Sequence, residues 1–310
     1  MKKICLIPVK NEAWILEEML KNISAWADII ILADQSSTDH TREICTKFPK
    51  VTIINNPNKG HSNQVRWLLL DKAREFPGNN LIICIDADEA LPTKLFLEEI
   101  ATLNLKPGDV LIADWIQLWK GVQKYNDSGV WHKNIKSFAF VDDRKINYPR
   151  LIVVNDHTSR VPEFKDTQGI KIKTPLLHFQ FIAWQRTQWK QAWYRCSELI
   201  KGGSARKINH KYSPILISQD NILKNTPDEW LSGLIIPTAL LEDIPAAWHQ
   251  EEIIKWFKQF KIEFFEPLQI WHIPELHRLF VEKTGREPQV AIFPKWLIYL
   301  NNIKNKIFHA

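Results

Sequence analysis

No stretch of the 310-residue chain comes near the run of about 18 apolar residues that a membrane-spanning helix requires, so none is expected. Met1-Lys2-Lys3 ahead of an apolar run resembles the start of a secretory leader, yet Lys10, Asn11 and Glu12 cut that run short. Cysteine is scarce. Cys5, Cys45, Cys84 and Cys196 show no metal-ligand spacing, and Cys5 and Cys84 lie inside apolar runs; they read as reduced core thiols of a cytoplasmic protein, with no disulfide expected. Internal repeats and low-complexity tracts are missing. So are zinc-finger spacing, an RNA-binding signature and any dense basic run, although 41 Lys and Arg against 35 Asp and Glu give a net charge of +6. Nucleic acid is therefore not an expected partner. A mildly basic surface suits diphosphates or the anionic face of a membrane.

What is present is ample apolar content, 45% of residues, in a length that suits one large α/β domain with an appendage or two domains. The most informative stretch is Asp86-Ala87-Asp88-Glu89, set directly behind the apolar run Leu81 to Ile85. A buried strand that delivers two carboxylates to its carboxyl end is a natural seat for a hard divalent cation, which takes oxygen ligands and shares them with substrate phosphates. If strand geometry continues through them, Asp86 and Asp88 share one side. Two upstream segments fit the same place. Ile4 to Val9 reads as a strand ending in the polar turn Lys10-Asn11-Glu12, followed by a helical pattern through Trp14, Ile15, Met19, Leu20 and Ile23. Ile29 to Ala33 reads as a strand leading into Asp34-Gln35-Ser36-Ser37-Thr38-Asp39, with Asp39 or Thr41 as helix cap. A third strand over Val51–Asn56 and a helix over Val65–Glu75 complete an alternation that predicts a parallel sheet with helices on both faces. Ligands in such sheets sit beyond the carboxyl ends of the strands, where all three polar segments fall.

Val9-Lys10-Asn11-Glu12, Asp34-x-Ser36-Ser37-Thr38-Asp39-x-Thr41, Arg66 and Asp86-Ala87-Asp88-Glu89 together resemble the family 2 glycosyltransferases of the GT-A fold, in spacing as well as in residues. The resemblance implies a Rossmann-like mixed or parallel sheet flanked by helices. It also implies a nucleotide-diphospho-sugar donor, UDP- or GDP-linked, a divalent cation (Mn²⁺ or Mg²⁺) on the Asp-x-Asp, and usually inversion at the anomeric carbon. By the same resemblance Pro8, Val9, Asn11, Glu12 and Asp34 line the nucleoside pocket, with Asp34 meeting the base. Asp86 and Asp88 handle ribose, metal and diphosphate, and Arg66 lies near the nucleotide.

Past Pro92 the chain changes character. Asp109–Trp119 reads as a strand that rejoins the sheet, and the segment from Lys120 to Arg150 interleaves Tyr125, Trp131, His132, Phe138, Phe140 and Tyr148 with polar residues. Aromatic faces stack on sugar rings, so this cluster is the candidate acceptor site. Farther on, His178 ends the apolar run Leu176-Leu177 and precedes a Trp- and Lys-rich helix over 184–201. The stretch resembles the L-x-H-[FY] of transferases in lipopolysaccharide and capsule assembly, and its imidazole is a candidate to complete the metal shell or meet the diphosphate. Neither Gln64-Val65-Arg66-Trp67 nor the segment Trp184–Trp189 is the Q-x-x-R-W of processive synthases, so one sugar per encounter is expected.

The attack of an acceptor hydroxyl calls for a general base. Relatives often place it in a Glu-Asp pair, and this chain has none near His178. Asp142, Asp143, Glu163 and Asp166 are the carboxylates available, with Asp142 and Asp143 favoured because they follow Phe138-Ala139-Phe140; the stereochemical outcome stays open. Residues 1–210 are read as the transferase domain, with a nucleotide-sugar half over 1–115 and an acceptor half over 116–210. Residues 211–310 form a helical extension, with Pro214, Pro227, Pro237 and Pro245 marking a passage into it. There Ile253, Phe257, Phe260 and Phe264 make an amphipathic face that either packs on the domain or lies on an anionic membrane, and the tail from Trp296 to Phe308 raises the same choice. The expected place is the cytoplasm, with peripheral contact at the inner membrane face if the acceptor is lipid-linked. Two other classes compete. A sugar-1-phosphate nucleotidyltransferase would carry glycines in its first loop, and Pro8 to Glu12 has none. A non-catalytic nucleotide- or glycan-binding module would keep the fold without turnover.

Overall fold

Alternate residues of the first strand, β1 (Lys3–Val9), point into two different cores, which fixes the layering of the sheet. Cys5, Ile7 and Val9 pack with Ile15, Leu16, Met19, Leu20 and Ile23 of α1 (Ala13–Trp26). Ile4 and Leu6 pack on the other face with Val65, Leu69, Leu70 and Ala73 of α3 (Gln64–Ala73). A strand covered on both faces reads as a continuous apolar run, as β1 does. The computed structural model describes residues 1–58, 63–148, 159–162, 169–216, 222–237, 240 and 247–291.

β2 (Ile29–Asp34), α2 (Thr41–Thr46), β3 (Val51–Asn55) and β4 (Leu81–Cys84) continue the alternation. The order β3-β2-β1-β4 is parallel throughout, with Val9 beside Asp34, Asp34 beside Asn55 and Leu6 beside Cys84. The carboxyl ends of β1, β2 and β4 therefore lie next to one another. The mixed part follows. β5 (Glu89–Ala90) and α4 (Thr93–Thr102) precede the long β6 (Val110–Trp119), β7 (Lys124–Asn126) and β8 (Ile135–Val141). β8 runs antiparallel between β4 and β6. β6 shifts register between Leu111 and Ile112, pairing with β8 through its first half and with β7 and β10 (Leu176–Phe181) through its second. β10 is also antiparallel to β5, and the short β9 (Ile170–Lys171) and β11 (Leu223–Asn225) pair with β6 and β7. The result is an α/β architecture with a mostly parallel central sheet flanked by helices.

The chain divides into two compact units, Met1–Ile182 with Leu223–Glu242, and Ala183–Ile222 with Asp243–Ala310. The first holds the sheet and also α7 (Asp228–Leu231). The second is helical, built from α5 (Trp184–Ile200), α6 (Ala205–Leu216), α8 (Ala247–Phe260), a 3₁₀ turn (Ile262–Phe265) and α9 (Pro274–Thr284), which ends on Gly285 in the left-handed conformation that glycine adopts without a Cβ clash. The division differs from the expected boundary at residue 210, which falls inside α6, and Pro214 sits within that helix rather than in a linker. The helix after the His178 strand is already part of the second core, where Trp189, Ala192 and Cys196 pack with Ile253, Phe257 and Phe265. Ile253 and Phe257 of the apolar face of α8 are thus covered inside their own unit, whereas Phe260 is half-buried and Phe264, in the 3₁₀ turn, is 42% exposed. All four cysteines are buried thiols. Among the described residues no helix is long and apolar enough to cross a membrane. Pro245 and the tail from Trp296 to Phe308 lie outside the described residues.

Candidate active site

The loops after β1 and β2 knit together through backbone groups. Asn11 donates its N–H to Ser37 Oγ (2.9 Å), and its side-chain oxygen accepts from Thr38 N–H (2.7 Å). Glu12 N–H is held by Thr41 Oγ1 at 3.0 Å. Asp39 accepts from Ala13 N–H and Thr41 N–H, each at 3.0 Å, so one carboxylate serves the first turns of both α1 and α2. Asn11 and Ser36 take φ near 54°, a left-handed backbone that non-glycine residues enter at a cost. Pro8, Val9, Asn11, Glu12 and Asp34 are therefore gathered at one edge of the sheet. Asp34 is committed within it: it is 2% exposed, accepts from Ser37 N–H and pairs with Arg42 at 2.7 Å.

At the neighbouring edge β4 stops at Cys84, and the acidic segment turns tightly rather than continuing as a strand. Glu89 N–H donates to Asp86 O, and Asp86 N–H to Glu89 Oε2 (2.9 Å). The turn separates the two aspartates that strand alternation had placed on one side. Asp86 faces guanidinium groups, with Arg160 Nη2 at 2.6 Å and Arg66 Nη2 at 3.5 Å. Burial pushes the Asp86 carboxyl up, but Arg160 and Arg66 outweigh it and hold it below the ordinary value. Arg160 also binds Glu89 at 2.5 and 2.8 Å, and although burial lowers its pKa, Asp86 and Glu89 raise it above the usual value. Arg66 is 6% exposed, and its Nε and Nη1 are buried with no hydrogen-bond partner.

Asp88 meets β10, while its charge is still felt at Asp86 and Arg160. Its Oδ2 lies 3.5 Å from His178 Nε2, and its carbonyl accepts Phe179 N–H at 2.9 Å. The other ring nitrogen of His178 is 2.6 Å from Gln117 Oε1. The imidazole stacks on Trp115 with centroids 4.7 Å apart and planes at 22°, while Trp115 donates its indole N–H to Glu89 at 2.6 Å. Lys136 Nζ lies 4.3 Å from the Trp115 ring centre, its pKa lowered by burial and then by Arg160. Arg160, Trp115, Gln117 and Lys136 are site residues that the sequence did not reveal; Glu89 belongs to the acidic motif.

Asp142 and Asp143 are not at this edge. β8 runs antiparallel to β4, so Val141 pairs with Leu81 and Asp142 follows at the amino end of the parallel strands, its N–H on Asn80 O. There Arg74 grips Asp142 at 2.7 and 2.9 Å, and Asp143 caps the turn by accepting from Lys145 and Ile146 N–H. Neither is placed to take a proton near Asp88, which corrects their assignment as base. Glu163 and Asp166 lie outside the described residues. The aromatic cluster also splits. Phe138, Phe140 and Tyr148 are buried in the sheet cores, whereas Trp131 packs edge-on against Phe181 (6.0 Å), itself 6.1 Å from His178.

Among the described residues no group of three or more His, Cys, Asp and Glu gathers around one point. Asp86 pairs with Arg160 and Arg66, while Asp88 Oδ2 and His178 Nε2 lie 3.5 Å apart, a spacing at which one carboxylate oxygen and one ring nitrogen could share an ion. Two protein donors completed by substrate phosphates fit the way such ions bind, and the nitrogen suits Mn²⁺ better than Mg²⁺.

Comparison with curated proteins finds no match. Among solved structures the chain is similar to S. aureus TarS, at 14% identity over 64% of this chain and 40% of that one, TM-score 0.38. It is similar to GalNAc-T7 crystallised with UDP, GalNAc and Mn²⁺, at 17% identity over 38% of this chain and 24% of that one, TM-score 0.33. A third is glucosyl-3-phosphoglycerate synthase from Mycobacterium tuberculosis in complex with Mn²⁺, UDP and phosphoglyceric acid, at 17% identity over 36% of this chain and 42% of that one, TM-score 0.28. The chain thus spans less than half the length of each. The family described as glycosyl transferase family 2 matches residues 4–181, more than half of the chain, and to that family this protein belongs.

Proposed function

We propose that this chain transfers a single sugar from a nucleotide-diphospho-sugar, UDP- or GDP-linked, to a hydroxyl of a glycan or lipid-linked acceptor, with a divalent cation held by Asp88 and His178. The observation that carries this reading is the meeting of Asp88 and His178, from distant segments, at the carboxyl edge of the sheet. Charge supports it. Among the described residues Asp86, Asp88 and Glu89 are balanced there by Arg66, Arg160 and Lys136, so a dication would add the positive charge that draws a diphosphate. A bound cation would act as a Lewis acid on the departing diphosphate. Arg66 contributes two orphaned N–H donors, which a phosphate oxygen would satisfy, and buried guanidinium groups are well suited to that anion. The Asn11, Ser37 and Asp39 loops would hold the nucleoside end on a pre-formed backbone. Trp131 packs on Phe181, which in turn packs on His178, and is proposed to meet the acceptor.

The test is calorimetric titration of UDP and then GDP, with and without Mn²⁺, on the full chain and on Asp88→Ala. The expected result is metal-dependent binding of one nucleotide that the variant loses. If neither nucleotide binds under any metal, the transferase reading of this site is wrong.

A further inference from the structure

We propose that Gln117 and Trp115 of β6 are positioning residues that fix the tautomer and plane of His178, so that its Nε2 is presented as a cation ligand beside Asp88. The proposal rests on the reading of Asp88 and His178 as the cation's protein ligands. Sheet register supplies the geometry. On β10, His178 pairs across to Gln117 of β6 on one side and to Glu89 of β5 on the other, which puts the three in one row. Gln117 is fully buried, and its Oε1 lies 2.6 Å from His178 Nδ1. An amide oxygen only accepts, so with Gln117 turned this way Nδ1 carries a ring proton, and Nε2 is the nitrogen left to meet a cation. Nε2 is the atom that faces Asp88. The Gln117 amide nitrogen is buried with no partner. A methionine would fill similar space without that orphan, so the amide is explained by what its oxygen holds.

Trp115 lies two residues earlier on the same face of β6 and covers the imidazole ring at 4.7 Å. Its own plane is tied by the indole N–H to Glu89, the carboxylate that also accepts Asp86 N–H and Arg160. Lys136 comes from β8, which flanks β6 opposite β10, and adds a cation over the indole. The ring that bears the ligand nitrogen is thus referenced to the same carboxylate that shapes the acidic turn.

The experiment is Mn²⁺ binding to the full chain in the presence of UDP or GDP, followed by electron paramagnetic resonance, with the spin-echo ¹⁴N coupling as the signature of a bound imidazole. Gln117→Met is expected to weaken Mn²⁺ about 10- to 100-fold and to remove or reduce the ¹⁴N coupling. Gln117→Glu, which still accepts from Nδ1–H and is close in shape, is expected to retain both, and near-ultraviolet circular dichroism checks that each variant is folded. Gln117→Met with the affinity and coupling of the parent overturns the proposal. Mn²⁺ bound with UDP or GDP but without ¹⁴N coupling in the parent overturns it too, while leaving the donor reading intact. No Mn²⁺ binding in the parent with UDP or with GDP overturns both.

Discussion

Two arginine–aspartate clusters sit at opposite ends of β4, and they differ in how completely they are satisfied. At the amino end Arg74 donates to both oxygens of Asp142, to the Asn147 side chain and to Ile146 O, while Arg144 ties down neighbouring carbonyls. At the carboxyl end Arg160 pairs with Asp86 and Glu89 through both terminal nitrogens, yet Arg66 keeps two buried nitrogens without a partner beside the same Asp86, and Gln117 keeps one. Folding normally pairs such groups because an orphaned buried donor costs free energy. A cluster complete in itself braces the sheet. One that is complete only with a visitor is where an anion is expected to bind.

The largest effect that separates the two ends should come from Asp142→Asn. It leaves the Arg74 guanidinium, mostly buried, against a neutral amide, and breaking one side of a buried pair typically costs about 3–5 kcal/mol. Chemical unfolding should show that loss, and nucleotide binding by the protein that remains folded should be unchanged. A tenfold loss of nucleotide affinity with intact stability would mean the amino-end cluster is not merely a brace.

Arg66→Met probes the other end, with a smaller effect. Methionine removes the two orphaned donors and fills the space with apolar atoms, which offsets the loss of the 3.5 Å pair with Asp86, so the melting temperature should change little. The dissociation constant for the nucleotide that binds with Mn²⁺ should increase about tenfold, the loss of one charge-assisted contact to phosphate, about 1.4 kcal/mol. A destabilised variant with unaltered nucleotide affinity would make Arg66 a structural residue like Arg74.

The same contrast explains what could be read before the fold was known. Asn11, Asp34 and Asp86 each end a strand in the repeating β-α order, and parallel strands deliver their carboxyl ends to one edge, so local pattern was enough to gather them. His178 ended an apolar run and lay at that edge as well, by way of β10. The misplacement of Asp142 and Asp143 came from direction. Nothing in Phe138-Ala139-Phe140 tells whether the strand is parallel or antiparallel to β4, and the antiparallel choice sends whatever follows it to the wrong end. The missed residues are non-local in a stricter sense. Gln117 and Trp115 matter only because β10 pairs in parallel with β6, and Arg160 comes from a segment with no periodicity to mark it. The tight turn after Cys84 also reassigned Asp86, since alternation holds only while a strand lasts.

Acidification should affect both ends, more gently than either substitution. Asp86 and Asp143 have carboxyls held low in the folded chain: for Asp86, Arg160 and Arg66 outweigh burial, and for Asp143, N–H groups and Arg74 outweigh it. A carboxyl with a folded pKa below its unfolded one binds protons first in the unfolded chain. Its contribution to stability is therefore complete above the ordinary carboxylate value of 3.8 and is lost as pH falls through the lower folded value. Amide hydrogen exchange in β1 and β4, corrected for the intrinsic pH dependence, reads this unit without averaging over the helical one. Protection should hold from neutral pH down to about 4 and decline below it, and Asp86→Asn should flatten that decline. Protection that rises on acidification would mean that repulsion among Asp86, Asp88 and Glu89 outweighs their pairing with the arginines, and the carboxyl edge would then be a strained site relieved by protons instead of one held together by charge.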